Sequence, residues 1–404
     1  MKVLIVEPKG SGHHIALYVR YVVRKLIEEK CALSLLTTHS AVAHPSFKLL
    51  EDYQDKIDLH YLPESQLKDG DTSWKLFAQQ TKSWLVLRRE FTAINARNHF
   101  DVVYVPTADW IAKALEVFGS PFGSSSFVVL YMSPKHHRKA MGLGPASRQD
   151  WLYKKMFHRL LCIPKLRSVL VIDEFFQEFC RVEYGKSAEK VQYVPDFSEI
   201  NGEKSKEECR EVMGVLPSVK ILLVYGSLTK RKGIAQLIEA LAMPNCPREI
   251  TVMLAGKADT DIESLISTST VQKMIVEGRI LLRLYFHDEA DEYFVFKAAD
   301  YVWLGYVRGF YGSSGVLFQA LQAGVPLVSM KQGLIGKMVE KYKLGVTVNP
   351  EQSDSILRGL KHIMGDQYGD EDVNHAGLEV FANNHRAESH ATVVFNALRE
   401  KSCL

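Results

Sequence analysis

The sequence predicts an α/β protein made of two Rossmann-like, doubly wound parallel-sheet domains facing each other across a cleft. Short apolar runs alternate with helix-length amphipathic segments along the whole chain. Runs such as KILLVYG and EITVMLAG are continuously apolar, as strands buried on both faces are. The pattern restarts after a polar stretch, DFSEINGEKS at 196–205, which follows a proline and reads as a linker.

The first half carries candidate strands at 2–6, 33–37, 101–105, 127–131, 168–172 and 191–194. The second carries them at 220–225, 249–255, 280–286, 300–304 and 325–329. Strands separated by helices make βαβ units and parallel sheets. The division this implies is an N-terminal domain over 1–198 and a C-terminal domain over 199–380. A helical segment at 381–404 remains and could return to the first domain.

Composition bounds the function. The 404 residues are 47% hydrophobic and 24% charged, with 26 Gly and 14 Pro, which excludes disorder, collagen and coiled coil for the whole chain. Fifty Lys and Arg against 47 Asp and Glu leave +3, too little to point to nucleic acid. No apolar run approaches the roughly 18 residues of a membrane span. The opening MKVLIVEP is a strand cut by Glu7, without the features of a signal peptide. A cytoplasmic protein is expected. The six cysteines, at 31, 162, 180, 209, 246 and 403, include no C-x-x-C pair, so they read as reduced single residues.

Charge is uneven along the chain. Residues 1–200 hold 27 basic and 22 acidic side chains, and the window 135–167 alone holds nine Lys and Arg against Asp150. Within it, WLYKKMFHRLL places Leu152, Met156 and Leu160, with Tyr153, Phe157 and Leu161, along one side of a helix beside Lys154, Lys155 and Arg159. Such a stripe suits either an anionic membrane surface or packing on a sheet.

Two loops carry the chemistry. In YGSLTKRKG, 225–233, a buried strand ends at Gly226, and Ser227, Lys230, Arg231 and Lys232 precede a helix. Free backbone N–H groups with two or three cations make a diphosphate site; a solvated basic turn is the bland reading. In GFYGSSGVLFQAL, 309–321, Gly312, Ser313, Ser314 and Gly315 form a small-residue loop at a helix start. That start favours an anion by its dipole and N–H groups; an ordinary serine cap is the alternative.

The order G-S-L-x-x-x-K-G, L-A-G, A-A-D, S-S-G-V-L-x-Q-A-x-x-A-G-V-P-L-V and G-V-T-V-N-P resembles the second half of retaining glycosyltransferases of family 4, which have the GT-B fold. The resemblance is dense over 190–365, and in the first half it rests on a Gly-rich turn, PKGSGHH at 8–14. It implies hexosyl or related transfer from a nucleotide sugar to a hydroxyl of a glycan or lipid-linked acceptor, in polysaccharide or glycolipid biosynthesis. It implies no cofactor and no bound metal. Arg231 and Lys232 would hold the donor diphosphate. Gly226, Ser227, Gly256, His287, Tyr311, Gly312, Ser313, Ser314, Gly315 and Gln319 would line the donor site. The family's two glutamates fall on Tyr311 and Gln319, both non-ionic. Gln319 can still hydrogen-bond a ribose diol, more weakly than a carboxylate, so Gln319→Glu is expected to be tolerated.

Metal could enter only through Asp259-Thr260-Asp261 or Asp69-Gly70-Asp71, and the first sits where helix capping already favours acids. His13-His14 and His136-His137 fall in loops after candidate strands, at strand ends that should open on the cleft. In the resembling family a first-domain histidine contacts the transferred sugar. His136 is placed with Arg231 and Lys232 in the catalytic set, and Gly12, His13, His14, Asp109 and His137 on the acceptor side. With no nucleophilic carboxylate in the motifs, same-face departure of the diphosphate fits retention. An epimerase on the same fold and a non-catalytic partner subunit are the rival readings.

Overall fold

The computed structural model describes residues 1–12, 14–64, 73–132, 134, 136–145, 147–285, 289–307, 309–365, 369 and 372–400. His13, His287, Lys135 and the Asp69-Gly70-Asp71 turn lie outside these described residues. The chain divides into two units, the first Met1–Lys139, Pro145–Asp196 and Ala387–Leu404, the second Ala140–Gly144 and Phe197–Arg386. The division therefore falls two residues before the expected 198, and the second unit runs past 380.

In the first unit the strands are β1 (Lys2–Val6), β2 (Ala32–Thr38), β3 (Ile57–Leu62), β4 (Val102–Val105), β5 (Ser126–Tyr131), β6 (Leu166–Val171) and β7 (Val191–Tyr193). They form one sheet in the order β3-β2-β1-β4-β5-β6-β7, parallel throughout. The second unit adds β8 (Lys220–Tyr225), β9 (Ile250–Ala255), β10 (Ile280–Arg283), β11 (Tyr301–Leu304), β12 (Leu327–Met330) and β13 (Gly345–Val348). Its order is β10-β9-β8-β11-β12-β13, again parallel. Helices on both faces bury the central strands, so β1, β4, β8 and β9 are apolar without alternation.

The strands that the sequence did not predict, β3 and β13, both lie at sheet edges. Half-exposed IDLHYL and GVTV lack the continuous apolar run of a central strand. The strand expected over 280–286 ends at Arg283.

The expected linker is no loose tether at its start. Asp196, Phe197 and Ser198 are buried, and in the first unit the Tyr18 hydroxyl donates to Asp196 Oδ1 at 2.7 Å. In the second, the Gln322 amide donates to the Ser198 carbonyl and accepts from Ile200 N–H. The helix Ala387–Arg399 packs in the first unit against the helix Arg20–Glu28. His390, fully buried there, donates from Nδ1 to the Pro195 carbonyl at 2.8 Å. Burial pulls its imidazole down to about 4.

The amphipathic helix of the basic window spans Arg148–Leu161, opened by a Ser147–Asp150 capping box. Phe157, Leu160 and Leu161 enter the first unit's core, so the second half of the predicted stripe packs on the sheet. At the other end Trp151 and Leu152 remain 60% and 49% exposed, with the Lys155 ammonium 3.9 Å from the Trp151 ring centre.

Candidate donor site and a buried first-unit cluster

In the second unit, β8 delivers the chain to Gly226, and Lys230–Lys232 form a tight 3-10 turn closed by Gly233. Gly233 takes φ +65°, and a Cβ there would meet the Gly305 carbonyl oxygen at 2.4 Å. Only glycine allows this approach between the turn and the end of β11. Two hydrogen bonds hold the turn: Trp303 Nε1 donates to the Lys232 carbonyl at 2.7 Å, and Val307 N–H to the Arg231 carbonyl at 2.9 Å. Gly256, after β9, likewise lies so close to Gly226 that a Cβ would sit 2.1 Å from the Gly226 oxygen. Its part in the loop is this backbone contact. Ser227 is exposed beside it.

The three basic residues then separate by role. Lys230 is exposed and pairs with Asp261 at 3.0 Å. Lys232 is buried, its ammonium donating to the Tyr225 carbonyl at 2.6 Å and lying 5.3 Å from the Tyr306 ring centre. Arg231 is exposed over the stacked rings of Tyr306 and Phe310, 5.8 and 5.3 Å from their centres. Among the described residues neither Arg231 nor Lys232 has an acidic partner. A buried ammonium held by one neutral carbonyl and a ring face is costly unless an anion joins it.

Tyr306 links this turn to the second loop. Its hydroxyl is 3.0 Å from Ser314 Oγ, and Ser314 makes no capping bond to the helix Gly315–Gln322 that it precedes. The ordinary serine cap is therefore not what this residue does. The helix start keeps N–H donors that no cap side chain takes up. Gly312 bends the loop at φ +138°, with nothing within 4 Å of a Cβ position. Tyr311 and Ser313 are half-buried in the same loop.

Gln319 brings in a residue that the motifs did not single out. Its Nε2 donates to Glu292 Oε1 at 2.7 Å, from the helix Glu289–Ala298. Burial, and then the hydrogen-bonded Glu292 carboxylate, push the Tyr225 phenol up. A carboxylate thus stands beside the non-ionic position 319, supplied by another helix. Its only sequence signal was an acidic helix start, EADE, which is common.

Asp259 is engaged as the cap of the helix Thr260–Ile266, accepting from Ile262 N–H at 2.9 Å. Among the described residues no group of three His, Cys, Asp or Glu side chains could hold a metal ion.

In the first unit the histidine pairs have different fates. His136, assigned to the catalytic set, is instead buried among Phe157, Phe176, Phe179 and Tyr184. The Tyr184 hydroxyl lies 3.1 Å from its Nε2, and burial pulls its imidazole down to about 3. His137 is buried too, its Nε2 3.0 Å from Asp173 Oδ2, while Asp173 Oδ1 caps the next helix. Both rings serve packing, because the loop after β5 turns inward onto an aromatic cluster. Asp109 Oδ2 accepts from Met132 N–H at 2.9 Å and so ties the ends of β4 and β5 together.

His14 stands apart. Its Nδ1 lies 3.1 Å from Glu7 Oε1 and 3.0 Å from Thr107 Oγ1, and a quarter of its side chain is exposed. Exposed Gly12, at φ +69°, turns the chain just before it.

Comparison with known proteins follows the second unit. Residues 219–366 match the family described as glycosyl transferases group 1. An uncharacterized glycosyltransferase of Methanocaldococcus jannaschii is 27% identical over 186 residues, 44% of this chain and 44% of that protein. The match thus spans less than half of that relative's length. HepE of Anabaena, solved with UDP, superimposes with a TM-score of 0.66 at 17% identity, covering 98% of this chain and 99% of HepE. HepE has also been solved with UDP-glucose. WaaG, a glycosyltransferase involved in lipopolysaccharide biosynthesis, superimposes at 0.62 and 12% identity, covering 99% of this chain and all of WaaG. The chain has the GT-B fold, and its site-bearing unit carries the group 1 glycosyltransferase pattern.

Proposed function

We propose that this protein is a glycosyltransferase that moves a sugar from a nucleotide-sugar donor to a hydroxyl of a glycan or lipid-linked acceptor, with retention at the anomeric carbon. The observation that carries the reading is a pair of cations without acidic partners among the described residues, Arg231 and Lys232, joined through Tyr306 to an uncapped helix start at Gly315. Cations and helix-start N–H groups are what a departing diphosphate needs, and their stabilisation grows as its charge develops. The bond from the anomeric carbon to the diphosphate oxygen breaks with its electron pair staying on the diphosphate, the acceptor oxygen bonds the same face of that carbon, and the acceptor's proton passes to the departing diphosphate oxygen.

Support comes from the family match, which contains every one of these residues, and from HepE, whose UDP and UDP-glucose complexes make UDP sugars the first donors to test. In this reading the cations replace a metal, so a chelator leaves turnover unchanged. Gln319, held by Glu292, faces the nucleoside ribose. The lipid-linked acceptor is proposed from the exposed Trp151, Leu152 and Lys155, which suit docking on the cytoplasmic face of an anionic membrane. Among the described residues no helix is long and apolar enough to cross one.

The test is release of nucleoside diphosphate from a panel of nucleotide sugars, with the anomeric configuration of the product read by NMR. Release from none of them overturns the reading; an inverted product overturns retention alone.

A further inference from the structure

We propose that the second unit carries a further ligand site, at the amino ends of β9 and β10, that takes a small organic carboxylate with a short apolar body. The site stands apart from the glycosyl-transfer reading and uses no part of the donor loops. A pocket of about 230 Å³ lies there, lined from the end of the helix Ile234–Ala242 and from the helix Ser269–Val276. That volume is below the roughly 300–1,000 Å³ of ordinary cofactor sites, so it admits a fragment rather than a nucleotide. Its buried lining residues, Leu241, Cys246 and Met274, are apolar, and its exposed ones include Arg248, Lys273 and Glu277.

The charge on its walls points to an anion. Arg279, just before β10, donates from Nη1 to the Leu241 carbonyl at 2.8 Å. From Nη2 it donates to the Pro247 carbonyl at 3.2 Å and to Cys246 Sγ at 3.4 Å. All three acceptors are neutral, and the buried Nε has no partner. Tying down the helix end therefore occupies part of the guanidinium and leaves its charge uncompensated. Burial pushes the Cys246 thiol up and Arg279 offsets this only in part, so the sulfur stays protonated at neutral pH and adds no competing charge.

Arg248, just before β9, is exposed, and among the described residues it has no hydrogen-bonding or ionic partner. Glu277 is the acid in the lining, and its contact is with Lys273 at 3.9 Å, a weak exposed pair. Arg248, Lys273 and Arg279 against Glu277 leave the pocket positive. Guanidinium groups match the paired oxygens of a carboxylate. The apolar lining then favours a ligand with a carbon body, which inorganic phosphate lacks. The donor loops follow the carboxyl ends of β8 and β9, whereas the pocket lies at the other end of the six-residue β9, roughly 20 Å away at about 3.3 Å per residue.

The probe is hexanoate, titrated into protein carrying carbon-13 in its methionine methyl groups. Met243 and Met274 line the pocket, and their signals should shift saturably while that of Met330, at the end of β12, stays still. Hexanol, with the same chain and no charge, should bind about tenfold more weakly, and Arg248→Gln should weaken hexanoate by about the same factor, the loss of one charge-assisted contact. Arg248 holds nothing else in the fold, so that variant should keep its melting temperature. Glu277→Gln removes the opposing charge and should tighten hexanoate binding. Absence of a saturable shift overturns the site. Hexanol or Arg248→Gln within twofold of the reference, or weaker binding in Glu277→Gln, overturns anion recognition. Inorganic phosphate acting on the same methyls as tightly as hexanoate overturns the organic carboxylate. A protein that binds hexanoate here and releases nucleoside diphosphate from no sugar keeps this site and loses only the glycosyl-transfer reading.

Discussion

Lys232→Met separates a ligand-binding lysine from a structural one. The ammonium is buried, donates 2.6 Å to one neutral carbonyl, and faces the Tyr306 ring. If it serves a diphosphate, Met fills the same space and removes one charge-assisted contact, worth about 1.5–3 kcal/mol. At 1.4 kcal/mol per tenfold, UDP should bind about 10- to 150-fold more weakly. Stability should hardly fall, because an isolated buried charge costs folding energy that an isosteric apolar side chain does not. If the lysine instead exists to tie down the end of β8, losing its bond to Tyr225 should cost about 1–3 kcal/mol. UDP affinity would then be spared. Calorimetric titration with UDP and a thermal melt of the same samples distinguish the two. Affinity within twofold of wild type refutes the donor-site assignment.

Gln319→Glu, tolerable by sequence alone, should in fact weaken UDP binding and lower the melting temperature, because it sets a second carboxylate where Gln319 now donates to Glu292 at 2.7 Å. Adding Glu292→Gln reverses the polarity of the pair and should restore both; no recovery in the double variant would show that the two side chains act separately. His136, pulled down to about 3 by burial, stays neutral in the fold while the unfolded chain protonates near 6.5, so its contribution is complete above that value and lost as pH falls. Between pH 7.5 and 5 the loss is about 2 kcal/mol; in denaturant melts the stability change over that interval should differ by that amount between wild type and His136→Gln, and equal changes would refute it. Replacing Trp151, Leu152 and Lys155 by Ser, Ser and Glu should abolish sedimentation with anionic vesicles and leave UDP binding intact; sedimentation that persists would move the docking surface elsewhere.

Much of the architecture was legible because the central strands are buried on both faces, which forces continuous apolar runs of strand length between helix-length segments. Legibility failed where burial is one-sided. The edge strands β3 and β13 carry polar residues on their open faces, and the basic helix divides between a buried end at Phe157 and Leu160 and an exposed end at Trp151. Its amphipathic stripe was visible in sequence, but the length over which the sheet covers it depends on neighbouring helices distant in the chain. The linker failed similarly: DFSEINGEKS reads as polar, yet its first three residues are buried, with hydrogen bonds from Tyr18 and Gln322.

The site divides along the same physical line. Arg231, Lys232 and the 312–315 loop could be singled out in sequence because glycines lie with cations or serines at strand and helix ends there, whereas the contacts that hold them, from Trp303, Val307 and Tyr306, could not. Glu292 and Glu7 were not legible, because what matters about each is its partner, and the partners lie 27 and 100 residues away, at Gln319 and Thr107. In sequence Glu7 only interrupts an apolar strand; in the fold a fully buried carboxylate must be satisfied, and the Lys9 N–H, the Thr107 hydroxyl and the His14 ring gather on it. The histidine pairs show the converse. His13-His14 and His136-His137 are alike as dipeptides, but β5 leads its loop into an aromatic cluster, whereas β1 leads to a partly exposed ring on a buried acid. Loop position made all four candidates; among the three that the structure describes, burial takes His136 and His137 into the aromatic cluster and leaves His14 partly exposed beside Glu7 and Thr107.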